Sequence, residues 1–221
     1  MKKLIGGLLI AASLPAFADG KAVIQATSPE SNDQVDMSVS WLEGNMRLDF
    51  PEQQAGYMLL QGDKGYMITD AEGQTIIMDI SKLSALAKQV TGEQENLTDA
   101  ASVEQLEATG ETETIAGIEG EVYDLVWKDN SGNTHEESIV LSDNTQAREL
   151  LTAFHSYRKA LLDKPDPIAE ALEERGMGML RQGDSFLIVS INNETPDKSI
   201  FTLPEDGLSF EEMMQNALKN D

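Results

Sequence analysis

The sequence predicts an α+β fold, an antiparallel sheet with helices packed on one of its faces. Three observations carry that expectation. Val35-Asp36-Met37-Ser38-Val39-Ser40-Trp41 alternates apolar and polar residues, the pattern of a strand with one buried and one wet face. Turn signals then recur at intervals of roughly ten residues, which joins neighbouring strands by hairpins. The period becomes helical over residues 144–162, where Leu150, Leu151, Phe154, Tyr157, Leu161 and Leu162 form one apolar stripe.

The elements follow in order. Glu43-Gly44-Asn45 turns the chain into Met46–Phe50, which alternates again. Tyr57–Gln61, Tyr66–Thr69 and Gln74–Asp79 are further strands, separated by the Gly62-Asp63-Lys64-Gly65 and Asp70-Ala71-Glu72-Gly73 turns. Ser81 is placed to cap a helix over Lys82–Val90, with Leu83, Leu86 and Ala87 on one side. Residues 91–114 carry Glu93, Glu95, Asp99, Glu104, Glu107, Glu111 and Glu113 and no basic residue. They read as an exposed acidic connection within the domain, with one helical stretch near 99–108.

Strands resume over Glu113–Ala116 and Gly120–Lys128, and Asp129-Asn130-Ser131-Gly132-Asn133 turns the chain into Thr134–Leu141. Asn144 is a cap for the long helix, and Pro165 and Pro167 end that segment. A shorter helix is expected over Ile168–Arg175. A hairpin of Met177–Arg181 and Ser185–Asn192 comes next, then a strand over Lys198–Leu203 and a closing amphipathic helix over Ser209–Lys219. Runs of strands joined by short turns suit a single curved sheet, a sandwich or a barrel. The stripe of the long helix is most simply buried against the sheet.

Residues 1–18 read as a secretory signal peptide. Lys2 and Lys3 are the basic start, Leu4–Leu14 is an apolar run of 11 residues, and Ala16-Phe17-Ala18 is a small-x-small cleavage site. A spanning helix needs about 20 residues, so cleavage is expected rather than a stable membrane anchor. The periplasm is the first expected address and full secretion the second. Cleavage removes two lysines, so the formal charge of −23 becomes −25 on a single domain of residues 19–221. Such a surface repels phosphate backbones and anionic headgroups, which argues against nucleic acid as a partner. The chain has no cysteine, which excludes thiol catalysis, thiolate metal sites and lipid attachment through sulfur.

Several segments resemble an uncharacterised periplasmic domain-of-unknown-function family: Gly44-Asn45-Met46-Arg47-Leu48-Asp49, Tyr57-Met58-Leu59-Leu60-Gln61-Gly62-Asp63-Lys64, Thr109–Gly117 leading into Glu121-Val122-Tyr123, and Phe201–Gly207. The order of elements is also similar to that of the LolA/LolB-type lipoprotein carriers, in which a curved antiparallel sheet wraps a hydrophobic cavity lidded by helices. That resemblance implies a half-barrel and supplies no catalytic residues. The chain departs from the carriers in its acidic segment and its high negative charge.

Met37, Met46, Met58, Met67 and Met78 fall on five successive expected strands. The simpler reading is that they fill an irregular core. The other is a soft, adaptable lining for an apolar ligand. Copper(I) ligation calls for clustered methionines, and only Met177-Gly178-Met179 and Met213-Met214 are clustered in sequence. His135 and His155 are the only histidines, no Gly-x-Ser-x-Gly is present, and the 129–133 turn lacks the glycine and glutamate positions of a calcium loop. The chain is therefore expected to be non-catalytic, with no cofactor and no metal. It is expected to bind an apolar small molecule or lipid at Trp41, Met46, Leu48, Met58, Leu60 and Phe154. The alternative is an envelope protein–protein interaction module that uses its acidic surface.

Overall fold

A computed structural model describes residues 19–27, 33–51, 56–71, 73–80, 82, 100–162 and 164–213. The expected leader and the helix beyond Lys82 lie outside the described residues. Among the described residues, twelve strands form one open, curved sheet: β1 Gly20–Thr27, β2 Gln34–Leu42, β3 Asn45–Asp49, β4 Gly56–Gln61, β5 Lys64–Ala71, β6 Gln74–Asp79, β7 Ala100–Ile115, β8 Ile118–Asp129, β9 Thr134–Ser142, β10 Gly178–Gln182, β11 Phe186–Asn192 and β12 Leu208–Ser209. The order is β12-β6-β5-β4-β3-β2-β1-β11-β10-β9-β8-β7, antiparallel throughout except where β12 joins β6. The chain is α+β, as its pattern predicts.

The meander from β2 to β6 follows the expected strands and turns closely. The β2–β3 turn puts Glu43 and Gly44 at φ +52° and +81°, the two positive values that match a tight turn to the twist of its strands. Among the described residues, the helices α1 Thr145–Leu162 and α2 Pro167–Glu174 pack on the sheet. Asn144 caps α1 as expected, its Oδ1 accepting from the Ala147 N–H at 3.2 Å. Ala147, Leu150 and Tyr157 are the buried part of its stripe, and Ala153, Phe154 and Leu161 pack beside them. This helix touches β3 and β5 in one arm of the sheet and β10 and β11 in the other. Among the described residues, no helix is long and apolar enough to cross a membrane.

Asp166 caps α2, accepting from the N–H groups of Ile168 and Ala169, with Pro167 in the first turn. Asp166→Ala is expected to cost about 1 kcal/mol. A shift in the midpoint of urea unfolding would measure that loss.

Two expectations are corrected. Residues 100–114 are not an acidic connection with a helical stretch; they belong to the 16-residue strand β7, paired with β8. Register shifts at Ala100/Ser102, Val103/Gln105 and Ala108/Thr112 break the period of two, which hides the strand from a pattern search. Lys198–Phe201 is a 3-10 turn, not a strand. Asp197 caps it by accepting from the Ser199 N–H at 2.9 Å. Ile200, Phe201 and Leu203 then pack against Leu42, Leu59 and Ile68. Arg47 Nη1 and Gln61 Nε2 donate to the carbonyls of Ile200 and Phe201, pinning this segment across β3 and β4.

At the C-terminal end Ser209 starts a helical turn over residues 210–213. Its hydroxyl accepts from the Glu212 N–H, and the Glu212 carboxylate accepts in return from Ser209, a reciprocal capping box.

Candidate functional site

Strand register decides where the methionines go. Residues directly opposite one another on paired strands share a face. Ile24 faces Met37, Trp41 faces Met46, Met46 faces Leu60, and Leu48 faces Met58. Met58 then faces Met67, and Met67 faces Met78. All five methionines therefore lie on one face of the sheet. It is the face under α1: the Tyr157 hydroxyl donates to Met58 Sδ at 2.6 Å.

The six residues expected to bind ligand are brought together. Trp41, Met46, Leu48 and Leu60 are buried in one cluster with Leu150 and Tyr157, and Met58 and Phe154 pack against it. They do not all line open space, because Met46 and Leu60 are each only 1% exposed. Around that sealed centre Met37, Phe50, Met58, Met67, Phe154 and Phe186 remain half-buried. Phe154 and Phe186 meet edge to face with centroids 6.4 Å apart. Tyr157 is the residue that the expected site omits. Burial pushes its hydroxyl up to about 12, and a thioether is a weak acceptor for it. Its place on the helical stripe was the available signal.

A cleft of about 510 Å³ opens beside α1, between the β2–β3 turn and the end of α2. Trp41, Arg148, Glu149, Thr152, Glu173 and Met177 are among the residues that line it. The Trp41 indole nitrogen is buried without a hydrogen bond of good geometry, although it still stabilises the Glu149 carboxylate electrostatically. Burial, reinforced by Asp19, nevertheless raises the Glu149 carboxyl above the usual range. Of the six expected residues only Trp41 borders this cleft.

No protein-family model and no curated protein matches the chain.

Both histidines are engaged by neighbouring side chains. His155 Nδ1 pairs with Glu173 at 2.9 Å, and Thr152 donates to the other oxygen of that carboxylate, which ties α1 to α2. His135 stacks on Trp127 with centroids 4.1 Å apart and meets Asp129 Oδ2 at 3.0 Å. Asp129 is buried and spends its carboxylate on its own turn, accepting from the N–H groups of Ser131 and Asn133 and the Asn133 amide. These bonds, led by His135, hold its carboxyl down at about 2. A folded value below the unfolded one stabilises the protein above the ordinary carboxyl range, and that contribution is lost as pH falls through about 2. Asp129→Asn is expected to flatten this acid-side loss. Parallel unfolding midpoints for the two proteins from pH 5 down to 2 would contradict it.

Proposed function

We propose that this is a non-catalytic periplasmic protein that holds an apolar or lipid-like ligand on the methionine-bearing face of its sheet, beneath and beside α1. One observation carries the reading: half-buried methionines and phenylalanines surround a sealed core on that single face. Methionine adapts to ligand shape because its chain is unbranched and its sulfur polarisable. The similarity of element order to the LolA/LolB-type carriers, with a curved sheet and a helix laid across it, supports the same reading. The protein is purified without detergent, extracted with organic solvent, and its extract analysed by mass spectrometry. A co-purifying lipid is expected. Met58→Asp and Phe154→Asp should weaken binding of a fluorescent fatty acid at least about tenfold, since each buries a charge in the apolar contact. Val189→Asp, at an exposed position (44%), should leave binding unchanged. Equal probe affinity in all three variants would reject the site.

A second reading rests on β7, which ends the sheet and exposes Glu107 and Glu111. In this reading the protein engages a basic envelope partner along that acidic strand. Because β7 is part of the sheet, charge reversal tests it better than deletion. Glu107→Lys/Glu111→Lys should remove crosslinks formed in cells, and an unchanged set of crosslinks would count against it.

A further inference from the structure

The cleft of about 510 Å³ beside α1 is lined by charges that the fold does not use, those of Arg148 and Glu149. The Arg148 guanidinium enters no hydrogen bond or salt bridge among the described residues, and it acts on Glu149 through its field. That is unexpected in a chain with 39 acidic and 16 basic residues, where carboxylates compete for every cation. Its place on the helix is also adverse. Arg148 stands in the first turn of α1, which holds no acidic residue, and the dipole there favours an anion. We propose that this cleft binds a zwitterionic small molecule, whose anionic group meets Arg148 and whose ammonium meets Glu149. The proposal goes beyond the apolar-ligand reading and does not depend on it, since of the six residues of that face only Trp41 borders the cleft.

Neighbouring residues on a helix do not face each other, so Arg148 and Glu149 are held back from mutual pairing and stay open to a ligand. Trp41 shapes the acidic end. It is 3% exposed, its indole N–H is buried without a hydrogen bond, and the carboxylate it steadies is that of Glu149. Glu149 has lost water to burial and gained no well-formed donor in exchange, which leaves its carboxyl above the usual range. An ammonium supplies those donors. Glu173, the other acid lining the cleft, is already held by Thr152 and His155, each at 2.9 Å. Glu149 is therefore the acid free to take a ligand.

Size and charge set the ligand class. The volume falls within the range of about 300–1,000 Å³ usual for small-molecule sites. A free anion is repelled by the formal charge of −23, and a free cation meets Arg148. A molecule with both charges and little net charge escapes both penalties. Ala153 and Met177 give the cleft apolar surface, and Asn45 and Ser156 offer hydrogen bonds to the atoms between the charged ends. A free amino acid and the phosphoethanolamine headgroup of a lipid share this chemistry.

The test titrates the protein with alanine and phosphoethanolamine as free zwitterions, reading the nitrogen-15 signal of the Trp41 indole. Trp127→Phe assigns that signal, because the chain holds two tryptophans. Vesicles containing phosphatidylethanolamine present the lipid form, read by co-sedimentation. One ligand per chain and a shift of the Trp41 signal are expected. Ethanolamine and methyl phosphate, each with one of the two charges, should bind at least about tenfold more weakly than phosphoethanolamine. Arg148→Gln and Glu149→Gln should each lose at least about tenfold in affinity. Lys159→Gln makes the same charge change as Arg148→Gln at an exposed position of α1 outside the cleft, and should lose nothing. Saturation by a free zwitterion without vesicle binding identifies a soluble ligand, and vesicle binding that is lost in Arg148→Gln identifies a lipid headgroup. No binding of either form, half-ligands that bind as tightly as the zwitterion, or full affinity in both cleft variants would each overturn the proposal. Met58→Asp should leave zwitterion binding intact while weakening that of the fatty acid, so the two readings fail separately.

Discussion

Replacing Gly178 by alanine is expected to be among the most damaging single substitutions in this protein, at about 3 kcal/mol or more. Gly178 opens β10 where α1 crosses it. A Cβ there would stand 2.3 Å from the carbonyl carbon of Ala147 and 2.3 Å from the Arg148 nitrogen, with the Ala147 oxygen at 2.6 Å. These are backbone atoms of a helix, so no rotamer change relieves the clash. The helix must lift, and the burial of Ala147 and Leu150 beneath it is lost together. Gly132 provides the contrast. Its φ is +84° and nothing lies within 4 Å of an added Cβ, so Gly132→Ala should cost only about 1 kcal/mol, from backbone strain. Urea unfolding separates the two: similar midpoints for both variants would show that α1 does not need the close approach at Gly178.

Leu150→Ala should cost about 3 kcal/mol for a different reason. Leu150 is 1% exposed and sits where α1 covers the cluster containing Trp41, Met46 and Tyr157. Truncation removes apolar contact and leaves a cavity that a β-sheet and a capped helix cannot collapse around. The same cavity has a functional consequence. An apolar void next to the methionine face should accept a small hydrophobic probe, as emptied apolar sites do. The variant is therefore expected to melt lower than the parent and to recover part of that loss when the probe is added. A loss under about 1 kcal/mol, with no probe-dependent recovery, would mean that α1 is not held down by this residue.

Both predictions concern the union of α1 with the sheet, and that is where the sequence was most and least informative. The stripe of α1 was legible because Leu150, Phe154, Tyr157 and Leu161 repeat with the helical period, and Asn144 marks the start. The β2–β6 meander was legible because β2 and β3 alternate and the turns that follow are rich in glycine and aspartate. β7 was not legible, because three register shifts scramble its parity and its glutamates mimic a solvated connection. The 3-10 turn at Lys198–Phe201 was read as a strand because Ile200 and Phe201 are strand formers. Its conformation is set by Asp197 and by the outer cluster that it covers.

By itself the sequence determined the α+β class, the strand-rich order, the long helix and the absence of thiol chemistry, because composition and local period are properties of neighbours in the chain. The same local character let it name six residues, Phe154 of α1 and five of the sheet, that pack together where the helix meets the sheet. Only the tertiary structure decided that Met46 and Leu60 are sealed while Met58 stays half-buried, and that Met58, Met67 and Met78 stand in one row. A one-residue slip in register would send each of those side chains to the opposite face. Register is fixed by pairing between strands and by the helix that covers them, so it is invisible to any reading that moves along the chain one residue at a time.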